Sequence, residues 1–274
     1  YEKYPLKVSD LIIDSLDPHE TSTKWAWANG AQQRMGDIPC VAMNGDMYYA
    51  PLSRSPDTMP YTGTVMAIDP AGRGSDESAY AVMKALNGYL FLMDVGGFTE
   101  GYSDLALTQM AQLAKFWQVN EIVVEANFGD GMFTKLMSPI FSKIHPCAIT
   151  EVKNTKQKEL RIIDTLEPVL MRHKLIVNQS VIENDYRRYE SGQTYSLIYQ
   201  MTRICRDKNA IAHDDRLDAV TMATAYWLSS MDIDGDKKEE GSERSIEEMM
   251  DEGIMAQPDE RYERCVKNIK ALRS

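Results

Sequence analysis

The chain has 274 residues, of which 43% are hydrophobic and 26% are charged, values typical of a globular protein with room for one large domain. No apolar run reaches the ~18 residues that a membrane span needs, and four scattered cysteines without a CxxC pair argue against a disulfide framework or a zinc site. The net charge is −11, but residues 231–253 alone contribute −7, so the nearly balanced remainder does not exclude a nucleic-acid partner.

Residues 1–60 are rich in turn-forming residues and have no sustained hydrophobic periodicity. We interpret them as an irregular lead-in that packs on the domain that follows. The chain begins with Tyr1 rather than Met, which predicts that it is a fragment or a processed piece of a protein.

A meander of three strands is predicted next. "GTVMAIDP", "SAYAVMKAL" and "YLFLMDVGGF" are apolar runs, and the Asn-Gly pair at 87–88 is a hairpin turn between the last two. Residues 63–98 should therefore form three antiparallel strands.

Helices and strands then alternate. An amphipathic helix at 103–118 precedes the strand "NEIVVEAN", and a second helix precedes the strand "CAITEV". Strands joined by helical crossovers usually lie parallel. The expected fold is α/β: a mixed five-stranded sheet, three strands antiparallel and then two parallel, flanked by helices. The core domain is predicted at 61–231, ending in a helix at 213–231, and an acidic linker and tail at 232–274.

Carboxylates occur where these elements end. Asp69 closes the first strand of the meander and Glu125 closes the fourth strand, while Asp214, Asp215 and Asp218 share one face of the last helix. Each has a simpler interpretation: a turn residue for Asp69, and a helix cap or first-turn acid for Asp214 and Asp215. Glu125 is harder to explain, because a buried carboxylate needs a partner or a cation.

Hard divalent cations match such a set of oxygen ligands. Mg²⁺ or Mn²⁺ is the expected cofactor, and two ions ~3.5–4 Å apart hydrolyse phosphodiesters by activating a water and stabilising the leaving oxygen. His213 adds a ligand, holds an aspartate, or is a cap or surface residue.

Basic residues near these acids suggest contacts to nucleic-acid phosphates. The candidates are Arg73, after Asp69, and Lys153, Lys156, Lys158 and Arg161 in "EVKNTKQKELRI". The alternative for the second group is an ordinary solvated helix start.

Three motifs, "AIDPAGRGSDESA", "IVVEANFGDG" and "AHDDRLDAVTMA", resemble in order and spacing the C-terminal nuclease domain of the large terminase subunit of tailed bacteriophages. The resemblance covers roughly 60–230. It implies an RNase H-like fold and a Mg²⁺- or Mn²⁺-dependent DNA endonuclease, with Asp69 and Glu125 as the first two catalytic acids. The third comes from "HDDRLDA", where Asp218 is favoured and Asp215 is close behind.

The resemblance also implies partners. The whole protein would package and cut concatemeric double-stranded DNA in the host cell cytoplasm, with a portal and prohead, a small terminase subunit and no membrane. The sequence has no GxxxxGK[ST] motif, so the ATPase motor that precedes this domain in the family is expected to be missing from the chain. The alternatives are an RNase H-like module that clamps DNA without cutting, and a resolvase- or transposase-like nuclease.

Overall fold

The computed structural model describes residues 3–71, 76–126 and 131–231. One compact unit, Tyr1–Trp227, contains both the predicted lead-in and nearly all of the predicted core. In the second unit, Leu228–Ser274, the described residues 228–231 are helical. No helix of the described chain is long and apolar enough to cross a membrane.

The lead-in contains five short strands. Two small antiparallel ribbons form between β2 and β5 and between β3 and β4, whereas β1 joins the main sheet. These strands are β1 (Ile12–Asp14), β2 (Glu20–Ser22), β3 (Trp25–Ala26), β4 (Ser53–Arg54) and β5 (Thr58–Pro60).

The main sheet has seven strands in the order β1-β11-β8-β7-β6-β9-β10. Its other members are β6 (Gly63–Asp69), β7 (Ser78–Leu86), β8 (Tyr89–Phe98), β9 (Glu121–Glu125), β10 (Ala148–Val152) and β11 (Leu175–Asn178). The predicted antiparallel meander is confirmed as β6–β7–β8, and the two parallel additions are confirmed as β9 and β10.

The predicted number of five strands is wrong. β11 lies parallel to β8, and β1 lies parallel to β11, which extends the sheet on the side away from β9. Three-residue β1 has too few positions for a period to be recognised, and its partner is far along the chain. The lead-in therefore contributes a strand to the sheet as well as packing against it.

Six α-helices accompany the sheet in the described chain. They are α1 (Asp104–Phe116), α2 (Met132–Ile144), α3 (Lys158–Met171), α4 (Gln179–Ser191), α5 (Leu197–Arg203) and α6, residues 215–231. Ser103 caps α1 by accepting a hydrogen bond from the Ala106 N–H, as its position before the helix predicts. The last helix begins two residues later than predicted, and the Asp218 N–H donates its hydrogen bond to the Asp214 carbonyl.

Strand direction decides where the functional side chains lie. Every residue of β7 is buried, and so is β6 after Gly63, which explains why both sequences are mostly apolar instead of alternating between apolar and polar residues. Because β6, β9 and β10 are mutually parallel, their carboxyl ends open onto the same edge of the sheet. Asp69 and Glu125 end two of these strands.

Candidate active site

Three of the predicted acids converge at this edge. Asp69 and Glu125 are the last residues of β6 and β9, whose preceding residues Ile68 and Val124 are in register. Asp218, in the first turns of α6, brings a third carboxylate. One oxygen from each of the three acids lies within 4.8 Å of the others.

The acids are deeply buried: Asp69 is 5% exposed, Glu125 6% and Asp218 0%. Burial raises the pKa of Asp69 well above its ordinary value, and the charges of Asp218 and Glu125 raise it further, while Lys158 opposes the rise. Several negative charges buried this far from solvent require a compensating cation.

Helix α3 brings two cations to the acids. The Lys158 Nζ lies 3.5 Å from Asp69 Oδ2, 3.2 Å from Asp218 Oδ2 and 2.7 Å from Asp214 Oδ1. Burial by itself lowers the pKa of Lys158, but these three carboxylates raise it by more, so the side chain stays charged.

The second cation, Arg161, holds Asp218 with Nη1 2.8 Å from Oδ1 and with a hydrogen bond from Nη2 to Oδ2 of 3.0 Å. Its Nη2 also lies 3.7 Å from Glu125 Oε1. Lys158 and Arg161 were predicted to contact DNA, but here their charged groups point into the acid cluster, with side chains 33% and 14% exposed. Their spacing along α3 puts both on the face toward the acids.

An amide orients Glu125. The Asn154 Nδ2 donates a hydrogen bond of 2.9 Å to Glu125 Oε1 from the segment that follows β10. Sequence reasoning missed Asn154. Asn154 could have been identified from its position just after β10, because a polar residue that follows a strand parallel to β9 lies at the same end of the sheet as Glu125.

Asp215 lies in a different group from the other three predicted acids. Ligand atoms of Asp76, His213 and Asp215 lie within 4.8 Å of one another, with His213 Nδ1 3.2 Å from Asp76 Oδ1. His213 also stacks on Tyr195, with ring centroids 4.2 Å apart. Burial raises the pKa of Asp215 to about 7; Lys158 opposes the rise and Asp214 adds to it. Neighbouring residues of α6 thus face different surroundings.

Two other basic candidates remain at the surface. Lys153 and Lys156 are exposed and follow β10, at the edge of the sheet where the acids lie. Arg73 lies outside the described residues, so its predicted phosphate contact stays a prediction.

The donor set matches a divalent metal ion. When ionised, Asp69, Glu125, Asp218 and Asp214 carry four negative charges against the two positive charges of Lys158 and Arg161, which leaves two uncompensated. Within the described chain, Asp218 Oδ1 is buried and accepts no well-aligned hydrogen bond. All-oxygen ligands and a net charge of −2 suit Mg²⁺ or Mn²⁺.

A family model and a curated relative that match this chain are both terminases. Residues 68–175 match the family model "Terminase Bacteriophage T7, Ribonuclease H-like domain". The chain is 44% identical to the large terminase subunit of Enterobacteria phage T3 over 259 residues, which cover 92% of this chain and 44% of the phage protein. The chain thus spans less than half the length of this relative.

Solved structures of terminase nuclease domains are more distant. The human cytomegalovirus domain, Mn-soaked and inhibitor-bound, is 16% identical with a TM-score of 0.46, covering 60% of this chain and 83% of that one. The domain from the large terminase subunit of bacterial virus Sf6 is 13% identical with a TM-score of 0.44, covering 60% and 88%.

Proposed function

The RNase H-like domain of this chain belongs to the terminase large-subunit family, and from that premise we propose that the chain is a metal-dependent endonuclease acting on double-stranded DNA. The proposed reaction is phosphodiester hydrolysis of concatemeric viral DNA. A water oxygen bonds to phosphorus, the bond to one ester oxygen breaks, and that oxygen takes up a proton. The convergence of Asp69, Glu125 and Asp218 in one buried group carries the proposal.

These three acids are the proposed catalytic metal ligands, and Asp215 is proposed as a further ligand that reaches the site from its own group. Two Mg²⁺ or Mn²⁺ ions, when bound, would supply an activated water and a counter-charge for the leaving oxygen. The side-chain amide of Asn154 donates a hydrogen bond to Oε1 of Glu125 and so fixes the orientation of the Glu125 carboxylate.

The proposed path of the DNA follows the basic side chains at this edge. Exposed Lys153 and Lys156 contact phosphates without reading sequence. Lys158 and Arg161 compensate the acids in the metal-free protein. With metal bound to the acids, these two side chains would be available to face the same phosphates. Arg73 extends the DNA-binding surface in the proposal.

The biological setting is proposed from the phage T3 relative, of which this chain matches 44%. In this setting the domain cuts concatemeric viral DNA in the host cell cytoplasm, together with a motor domain, a small terminase subunit, and the portal and prohead.

The proposal is tested by incubating linear duplex DNA with the protein and Mn²⁺, with EDTA as the blank. The wild type should cut, whereas Asp69→Asn, Glu125→Gln and Asp218→Asn should not, although each retains its circular-dichroism spectrum. Asp164→Asn is the matched control, because Asp164 is an exposed carboxylate paired with Arg206.

Binding of the duplex without metal-dependent cutting by the wild type would favour a clamp instead. Cutting of branched DNA alone would favour a resolvase.

A further inference from the structure

Two chain segments that carry catalytic acids are joined by charged residues outside the acid group. The segment after Asp69 contributes Asp76 and Glu77, while His213 comes from just before α6 and Arg216 from its first turn. His213 Nδ1 lies 3.2 Å from Asp76 Oδ1, and Arg216 Nε donates to Glu77 Oε1 at 2.5 Å. We call these four residues the clasp.

The Glu77–Arg216 pair is the buried part of the clasp. Glu77 is 2% exposed and Arg216 6% exposed, and Arg216 Nη2 makes a second contact with Glu77 Oε2 at 3.4 Å. Arg188 from α4 lies 3.7 Å from the same oxygen. A buried ion pair is weak evidence for stability, since its desolvation offsets much of the attraction. The buried pair therefore needs a reason other than stability, and a geometric one is available.

Helix geometry supplies one. Residues two positions apart on a helix are ~200° apart around its axis, so Arg216 and Asp218 leave α6 on nearly opposite sides. Lys158 and Arg161 compensate only part of the charge of the acid group, and the remaining repulsion between Asp218 and the other acids tends to rotate the helix start away from β6 and β9. The pull of Glu77 on Arg216 resists that rotation.

Glycine at position 97 makes room for the pair. A Cβ placed on Gly97 would overlap the Glu77 Cδ and would lie 2.7 Å from both of its carboxylate oxygens. Gly97 is in β8, in register with Ala79 of β7. A side chain here would therefore displace the Glu77 carboxylate without removing either charge.

We propose that Glu77 and Arg216 are positioning residues for the metal site: their ion pair sets the rotation of the first turn of α6 and thereby the distance of Asp218 from Asp69 and Glu125. The inference deepens the proposed function, because it rests on these three acids being the metal ligands. Neither Glu77 nor Arg216 is required to touch metal or DNA.

The test measures Mn²⁺ affinity by electron paramagnetic resonance, together with melting temperature. Glu77→Gln should weaken Mn²⁺ binding by about 10- to 100-fold in the folded protein, the usual effect of losing a partner that orients ligands. Arg216→Lys keeps the charge and should retain part of the affinity. Leu86→Ala is the matched control, because Leu86 is buried at the far end of β7 and its truncation lowers stability without touching the clasp.

Gly97→Ala provides an independent arm, since it moves Glu77 and leaves the charges in place. It should weaken Mn²⁺ binding as Glu77→Gln does, whereas Gly36→Ala, with nothing within 4 Å of its Cβ, should not. If Glu77→Gln fails to fold, this variant and Arg216→Lys decide the matter.

Wild-type Mn²⁺ affinity in the folded clasp variants, with only the melting temperature lowered as in Leu86→Ala, would overturn the inference. The proposed function would survive that result provided that Asp69→Asn loses Mn²⁺. Wild-type Mn²⁺ affinity in Asp69→Asn would overturn the metal assignment itself.

Discussion

Lys158 holds a single positive charge against three carboxylates, and this arrangement puts it in competition with any divalent ion for the same oxygens. Lys158→Met keeps most of the side-chain volume but removes the charge. We expect Mn²⁺ to bind the variant at least ~10-fold more tightly, a change that corresponds to about 1.4 kcal/mol. The metal-free variant should also melt at a lower temperature, because the acids lose a counter-charge.

Calorimetric titration with Mn²⁺ and thermal unfolding in EDTA measure the two effects. Lys156→Met is the control, since Lys156 is exposed and lies two residues earlier. Unchanged or weaker Mn²⁺ binding by Lys158→Met would mean that the ammonium and the metal do not share ligands.

The raised pKa of Asp215 makes the free energy of unfolding depend on pH. Its pKa rises from 3.8 to about 7 on folding, chiefly through burial. Below pH ~4 the carboxyl is protonated in both states. Between pH ~4 and ~7 the unfolded chain loses the proton that the folded protein keeps, so the free energy of unfolding falls as pH rises, by at most about 1.4 kcal/mol per pH unit.

Asp215→Asn should therefore gain stability relative to the wild type between pH 4.5 and pH 7 in EDTA, as measured by urea unfolding. Asp164→Asn, at an exposed site, should follow the wild type. Parallel curves for Asp215→Asn and the wild type would show that the carboxyl titrates normally.

At the scale of elements, one buried carboxylate joins two helices. Asp185 of α4 accepts hydrogen bonds from the N–H groups of Leu197 and Ile198, at 2.7 and 3.0 Å, and from the Ser196 hydroxyl at 2.7 Å. Asp185→Ala leaves two N–H groups at the start of α5 without an acceptor. The expected cost is ~2–4 kcal/mol of unfolding free energy in urea.

Glu190→Ala is the control, because Glu190 is an exposed residue of the same helix. Its replacement should lower the free energy of unfolding by less than ~0.5 kcal/mol. A similar small loss for Asp185→Ala would mean that water replaces the carboxylate at the α5 terminus.

The elements also show what a sequence can predict. β6 and β9 are short apolar runs that end in Asp69 and Glu125, so the strands and their acids were visible together. Asn154, Glu77 and Arg216 were not, because their roles depend on contacts between segments that share no pattern. Position on α6 favoured Asp218, but that position could not show that Asp215 turns toward Asp76 and His213.

At the scale of the whole molecule, an acidic protein is proposed to bind a polyanion, so the local charges must decide the path of the DNA. Lys153→Ala combined with Lys156→Ala should weaken duplex binding similarly for all sequences. The log–log dependence of affinity on salt should become shallower by ~0.9 for each phosphate that the variant no longer neutralises.

Lys143→Ala is the control, because this exposed lysine lies in the last turn of α2 and precedes β10, at the opposite end of the parallel strands from the acids. Fluorescence anisotropy between 50 and 200 mM salt, roughly the range over which counterion release is resolved, measures both slopes. Equal slopes for the double variant and the wild type would place the DNA elsewhere.

The pairing of β1 with β11 fixes the order in which parts of the sheet can form during synthesis. Ile12 pairs with Ile176, so β1 finds its neighbour in the sheet only after β11 has been synthesised, and such distant pairing is slow compared with local structure. Asp218 leaves the ribosome later still. A nascent chain that stops before α6 carries two of the three carboxylates and lacks the third. On the proposed function, DNA in the infected cell therefore meets no complete cutting site until nearly the whole described domain has been translated.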